Sequence, residues 1–244
     1  MAAVSRLSTE PAPRVLRDAG VGQGGVMIAD LSDTFRRACA EALALLLPVA
    51  CAGCDEPDVA LCERCVVALS PEPHRRLIGA GEVEFPVWSG LRFEAVPARV
   101  IRALKEDGRT GLARALAPAL RAALDASGGA GGATLVVMPT SRASFRRRGY
   151  RVPDLIARRA GLRVHPLLRQ IRRVHDQRLL GRDGRRRNVE GSMRAIDAAG
   201  RRVIVVDDVV TTGASLAEAV RALRNGGAEV VAAVTVAATP RRAA

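Results

Sequence analysis

The sequence predicts an α/β fold, a mostly parallel sheet with helices on both faces, joined to a small N-terminal cysteine knuckle. Three observations predict it. The run Val203-Ile204-Val205-Val206 suits a strand buried on both faces. Residues 216–223 carry apolar side chains at helical spacing and stop before Gly226-Gly227, and residues 230–238 return as a second apolar run. Such a strand-helix-strand unit joins parallel strands and presents ligands beyond their carboxyl ends. The third observation is the pair Cys51-Ala52-Gly53-Cys54 and Cys62-Glu63-Arg64-Cys65, compact spacings in a region too small to build a core of its own.

Taken in order, residues 1–26 contain Pro11, Pro13 and several glycines without an apolar signal region, so they read as a disordered extension. Met27 opens a more ordered pattern and is a reasonable natural start; Met1 or Ala2 found by mass spectrometry of the native protein would exclude it. Residues 27–70 form a helix and the cysteine knuckle, with Cys39 inside the helical pattern 31–47 as a small buried hydrophobe. Residues 71–244 form the main domain. Within it, 83–93 is extended, 95–105 and 112–124 are helical, 134–138 is a strand and 153–160 a helix. The glycine-rich stretch 128–132 precedes a strand and reads as a linker, and 172–194 is an arginine-rich irregular segment.

The chain has 244 residues, a formal charge of +13 and a pI near 11.2, which predicts attraction to anions such as nucleic acid, membrane lipid or a polyphosphate. Much of the excess is arginine on a background rich in Ala, Val and Gly, so genome composition accounts for part of it. One Trp, one Tyr and four Phe provide few platforms for stacking single-stranded bases. The longest apolar run, 42–51, is far too short to span a bilayer. With no secretion signal, a cytoplasmic, reducing compartment is expected.

Two Cys-x-x-Cys knuckles deliver four thiolates to a tetrahedral Zn2+, and a reducing compartment disfavours two disulfides. Cys51, Cys54, Cys62 and Cys65 fill every coordination position, so the metal is expected to be structural.

Beyond the first strand stand Asp207 and Asp208, then Val209-Val210-Thr211-Thr212-Gly213-Ala214-Ser215. That loop would turn successive N–H groups and a helix N-terminus toward one point, which favours a phosphate. Two carboxylates beside it can accept hydrogen bonds from vicinal sugar hydroxyls and hold Mg2+ through water. A ribose 5-phosphate satisfies both halves; a tight turn between a core strand and a helix is the bland alternative. Residues 203–215 resemble the phosphoribosyl pyrophosphate (PRPP) signature of the type I phosphoribosyltransferases, an apolar run, two acidic residues and Thr-Thr-Gly. The resemblance implies that Asp207 and Asp208 hold the ribose hydroxyls. It also implies that Val209, Thr211, Thr212, Gly213, Ala214 and Ser215 form the PRPP loop.

The combination of that loop with the cysteine knuckle resembles the ComF family of phosphoribosyltransferase-like proteins. Further matches are Leu46-Leu47-Pro48, Ala103-Leu104-Lys105 followed by Gly108, residues 136–140, Arg148-Gly149-Tyr150, and Gln177 followed by Arg185, Asn188 and Gly191. Two departures stand out. Arg151-Val152-Pro153 replaces the usual Asn-Gln after the Arg-Gly-aromatic motif, and Glu106 replaces an aromatic after Leu-Lys. The resemblance implies Lys105 and Arg185 as catalytic partners of the two aspartates. It also implies a pyrophosphate contact at Thr140 and Ser141, for which ordinary helix capping is the alternative, and a lid over 172–188, for which a solvated basic loop or nucleic-acid patch is the alternative. Phe85, Trp88 and Phe93 are the stacking candidates for an acceptor.

The leading expectation is a Mg2+-dependent, PRPP-binding phosphoribosyltransferase-like protein with structural zinc and an unknown acceptor. Two alternatives stay open: a nucleic-acid-associated protein that binds single-stranded DNA, since the family is linked to DNA uptake in competent bacteria, and a PRPP-sensing regulator without turnover. Oligomeric state is not legible.

Overall fold

A computed structural model describes residues 49–80, 83–172 and 189–240. The expectations for the N-terminal extension, the helix at 31–47, Cys39, Gln177, Arg185, Asn188 and most of the lid lie outside the described residues.

After the knuckle, with its short helix α1 (Glu63–Val67), come strands β1 (His74–Ala80) and β2 (Val83–Arg92) and helix α2 (Ala95–Glu106). A 3-10 turn (Thr110–Leu112) leads into α3 (Ala113–Ala126), followed by β3 (Thr134–Val137), α4 (Arg142–Arg148) and α5 (Val152–Arg159). Short strands β4 (Val164–His165), β5 (Leu168–Gln170) and β6 (Met193–Ala195) precede the closing unit β7 (Arg202–Val210), α6 (Ala214–Asn225) and β8 (Glu229–Ala238).

Six strands form one sheet in the order β1-β2-β8-β7-β3-β4; every neighbouring pair is parallel except β1 with β2. β5 and β6 form a separate antiparallel pair. The two-residue side-chain period explains how β7 is buried on both sides. Ile204 and Val206 join a core with Ile101, Leu116, Leu120 and Ile156, from helices on one face. Val203 and Val205 join a second core with Leu216, Val220 and Leu223 of α6 on the other. The expected mostly parallel sheet with helices on both faces is therefore the observed one. Among the described residues no helix is long and apolar enough to cross a membrane.

The structure departs from the sequence reading in four places. β1 was not expected: its sequence HRRLIGA carries two arginines and a glycine, and it forms as an antiparallel edge strand by pairing with β2. α4, sequence RASFRRR, has no buried residue and so gives no apolar period to detect. Met193 and Arg194, read as the end of the irregular segment, form β6 with Ala195 against β5. β7 runs on through Asp207 and Asp208 to Val210, so Val209 is paired with Ala237 in the sheet and packed on the core, and the loop begins after it.

Candidate functional site

The loop after β7 is tied down at its base. Thr239 donates its N–H to the Val210 carbonyl at 2.9 Å, and Arg76 of β1 donates through Nη2 to the Thr211 carbonyl at 3.1 Å and through Nη1 to that of Thr239 at 3.5 Å. Gly213 takes φ +86° as the N-cap of α6, and a Cβ there would lie 2.4 Å from Ile78 Cδ1. Only glycine meets both demands without strain. Among the described residues the N–H groups of Thr211, Thr212, Gly213 and Ser215 have no acceptor. That of Ala214 reaches Thr212 Oγ1 at 3.4 Å. Thr211, Thr212 and Ser215 are exposed. Amides without an acceptor at the positive end of a 12-residue helix are donors of the kind that attract an anion.

Next to it, β7 carries the carboxylates on opposite sides of one strand edge. Asp208 is buried and accepts from Lys105 Nζ at 2.7 Å, so the last turn of α2 reaches across 103 residues of sequence to the pair. Burial first, and the neighbouring Asp208 charge second, push the Asp207 carboxyl up to about 7, against the pull of Lys105 and of the Asp208 N–H. Oxygen donors of this kind fit a hard divalent cation approached through water.

The turn after α4 holds the end of α2. Arg148 donates through Nε to the Lys105 carbonyl at 2.8 Å, and the Tyr150 hydroxyl donates to the Leu104 carbonyl. These contacts satisfy carbonyls that the last turn of a helix leaves open.

Asp207, Asp208 and Ser215 line a cavity of about 260 Å3 together with Thr140, Ser141 and Arg148. Asp207, Asp208, Thr140, Ser141 and Ser215, drawn from separate parts of the chain, are thus brought together, with Lys105 immediately behind. Ser141 caps α4, accepting the Ser144 N–H at 3.1 Å. That is the ordinary capping role left open for it, and its wall position adds a second. The stacking candidates do not reach this cavity. Phe85 is 1% exposed inside the core, and Trp88 and Phe93 pack against the core from its margin. Sequence reasoning missed Arg76 and Ile78; it singled out Arg148-Gly149-Tyr150 as a motif but not its hold on the end of α2. Their signal was weak because arginine in an edge strand or a basic helix reads as solvated surface.

The four cysteines converge with all Sγ atoms within 4.8 Å of one another. Cys62 Sγ lies 3.7 Å from that of Cys51 and 3.6 Å from that of Cys54. Tetrahedral zinc at a Zn–S distance of about 2.3 Å spaces its sulfurs about 3.8 Å apart, so the donor set fits that ion. None of the four is joined in a disulfide. Burial opposes ionisation of Cys51, but N–H groups of Cys62 and Gly53, each 3.4 Å from its sulfur, and that of Cys54 bring it down to about 6. Burial, joined by the adjoining sulfurs, pushes the Cys65 thiol up, as expected of a thiol cluster without a cation. Gly53 is required by space: a Cβ there would sit 2.5 Å from Cys65 Sγ.

Fold and site together define a phosphoribosyltransferase-type α/β domain with a four-cysteine knuckle, and comparison with known proteins points the same way. Residues 147–244 match the family profile described as Phosphoribosyl transferase domain. The chain is similar to the orotate phosphoribosyltransferase of Rhodopseudomonas palustris (strain TIE-1), 43% identical over 53 residues, 22% of this chain and 28% of that one. The adenine phosphoribosyltransferase of Mycobacterium avium (strain 104) is 54% identical over 41 residues, 17% and 23% of the two chains. A longer match, to the DNA utilization protein YhgH of Escherichia coli O157:H7, is 32% identical over 103 residues, 39% of this chain and 45% of that one. The chain thus spans less than half the length of each of these relatives.

Proposed function

We propose that this protein binds PRPP with Mg2+ and acts as a phosphoribosyltransferase-like protein of the ComF type. The observation that carries the reading is the set of amides without an acceptor, those of Thr211, Thr212, Gly213 and Ser215, in the segment that follows the Asp207–Asp208 pair, with Ser215 lining the same cavity as both carboxylates. The amides take the 5-phosphate, the carboxylates take the ribose hydroxyls, and Thr140 and Ser141 face the pyrophosphate. In transfer, the bond from the anomeric carbon to the pyrophosphate oxygen breaks with its electron pair leaving on pyrophosphate, while a bond forms from that carbon to the acceptor. Positive charge grows on the sugar, and fixed dipoles and carboxylates around it stabilise that charge without reorganising. Lys105, held on Asp208 at 2.7 Å, keeps one carboxylate oriented. Bound Mg2+ would supply charge neutralisation for the pyrophosphate. Cys51, Cys54, Cys62 and Cys65 hold a structural zinc.

Calorimetric titration of zinc-loaded protein tests the reading: PRPP binds with Mg2+ present, and Asp207→Asn/Asp208→Asn weakens it by a factor of ten or more. Absence of binding by the intact protein removes the reading.

A second reading, association with single-stranded DNA, is favoured by the similarity to a DNA utilization protein and by α4. There Arg142, Arg146 and Arg147 are exposed with Phe145, whose ring lies under Arg151 at 5.7 Å. Such binding falls steeply with salt. An affinity unchanged by Arg146→Glu/Arg147→Glu would contradict it.

A further inference from the structure

The cysteine knuckle and the carboxylate pair meet the two ends of one helix, and the knuckle holds its end through contacts that its own fold sets. Val96, in the first turn of α2, packs against the cluster of Cys51, Cys62 and Cys65. Asp55, the residue after Cys54, takes φ +65° and donates its N–H to the Cys51 carbonyl at 3.0 Å, while its carboxylate pairs with Arg99. Just past the helix, Arg109 donates through Nη2 to the Ala60 carbonyl at 2.7 Å, an oxygen that also accepts the Ala52 N–H at 3.1 Å. Asp55 and Ala60 both lie between the two cysteine pairs, so the turn that brings four sulfurs together also places the partners of Arg99 and Arg109. Lys105 stands between those two arginines in the chain, and its Nζ meets Asp208 at 2.7 Å.

An exposed ion pair contributes little by itself, but here three contacts act on one rigid rod. A 12-residue α-helix is about 18 Å long and carries a displacement of its first turn to its last. The knuckle is too small for a core of its own, so its fold follows its metal. Two arrangements result: a folded knuckle that seats Val96, Arg99 and Arg109, and an unliganded one that releases them. On release, Lys105 no longer holds Asp208 in place beside Asp207, and the pair loses the fixed geometry that ribose hydroxyls require. We propose that the knuckle and the carboxylate pair are thermodynamically coupled through α2, with Arg99 and Arg109 as positioning residues. Zinc on the four cysteines then tightens PRPP, and PRPP tightens zinc by the same factor. This rests on the PRPP reading and adds regulation to it.

The reciprocity supplies the test. Zinc affinity of the full-length protein is measured by chelator competition, with Mg2+ alone and with Mg2+ and saturating PRPP, and PRPP affinity by calorimetry on zinc-loaded and zinc-stripped protein. Each ligand should tighten the other about five- to a hundredfold, by one common factor. Lys105→Met and Arg99→Ala/Arg109→Ala should still bind zinc, with that factor reduced below about two, and Arg99→Lys/Arg109→Lys should keep most of it. Coupling of undiminished size in Lys105→Met would show communication through general stability and overturn the proposal. Should Lys105→Met not reach saturation with PRPP, Arg99→Ala/Arg109→Ala decides by the same criterion. Should the zinc-stripped protein fail to fold, the zinc affinities with and without PRPP decide. A wild-type protein that binds PRPP with no change in zinc affinity would refute the coupling and leave the PRPP reading standing. No PRPP binding by the zinc-loaded wild type would refute both.

Discussion

Gly213 is where two constraints meet, a left-handed backbone at φ +86° and the side chain of Ile78 pressed against the space a Cβ would take. Gly213→Ala should therefore cost about 1–3 kcal/mol, read from urea unfolding, and displace the loop. A variant as stable as wild type would mean the loop adopts another conformation. Asp207 makes a second prediction, on pH. Its folded-state value is raised to about 7 from an unfolded value of 3.8, so the folded state holds the proton more tightly. The stability this contributes is complete below about pH 4 and is lost as pH rises through 7. In the metal-free, ligand-free protein, Asp207→Asn should gain in thermal midpoint relative to wild type between pH 4 and 8. A difference independent of pH would show that Asp207 titrates normally. Both residues were legible in the sequence, since paired carboxylates and Thr-Thr-Gly after an apolar run have a chemical reason to occur together. Arg76 was not, and Arg148 was legible as part of a motif but without its contact. Their roles depend on which carbonyls they meet, and no spacing announces that.

At the scale of elements, helix α2 joins two sites. Its first turn supports the knuckle: Val96 packs against the cysteine cluster, and Arg99 pairs with Asp55. Its last turn places Lys105 on Asp208. Gly53→Ala, which forces a methyl against Cys65, should cost about 1–3 kcal/mol and lower the zinc content measured by native mass spectrometry from one ion per chain. Full zinc retention would argue that the knuckle yields without loss. On the other face, Glu218 of α6 is buried. It accepts the Met193 N–H of β6 at 3.0 Å and a two-point contact from Arg221 at 2.7 and 2.8 Å. Burial alone would raise its pKa, but those donors hold it below the usual carboxylate range. Glu218→Ala should destabilise by about 1–3 kcal/mol in urea unfolding, and no change would show that β6 is held by packing alone. Elements with apolar periods, α2, α3, β7, α6 and β8, were readable within a residue or two. β1, α4 and β6 were not, because pairing and capping make them: β1 and β6 bury only single large side chains such as Ile78 and Met193, and α4 buries none.

The whole molecule is a device for bringing distant segments to one edge of a sheet. β3, β7 and β8 run parallel, so the segments following them emerge together, and the cavity collects the loop after β3, the end of β7 and the start of α6. This convergence was predictable from the strand-helix-strand unit, because parallel strands share their carboxyl ends. The placement of Lys105 was not, since it depends on how far α2 extends across the sheet. The most direct measurement is a crystal structure of the zinc-loaded protein soaked with ribose 5-phosphate. The account predicts phosphate oxygens on the amides of Thr211 to Ser215 and ribose hydroxyls on Asp207 and Asp208. A phosphate bound elsewhere, with that loop empty, would contradict it.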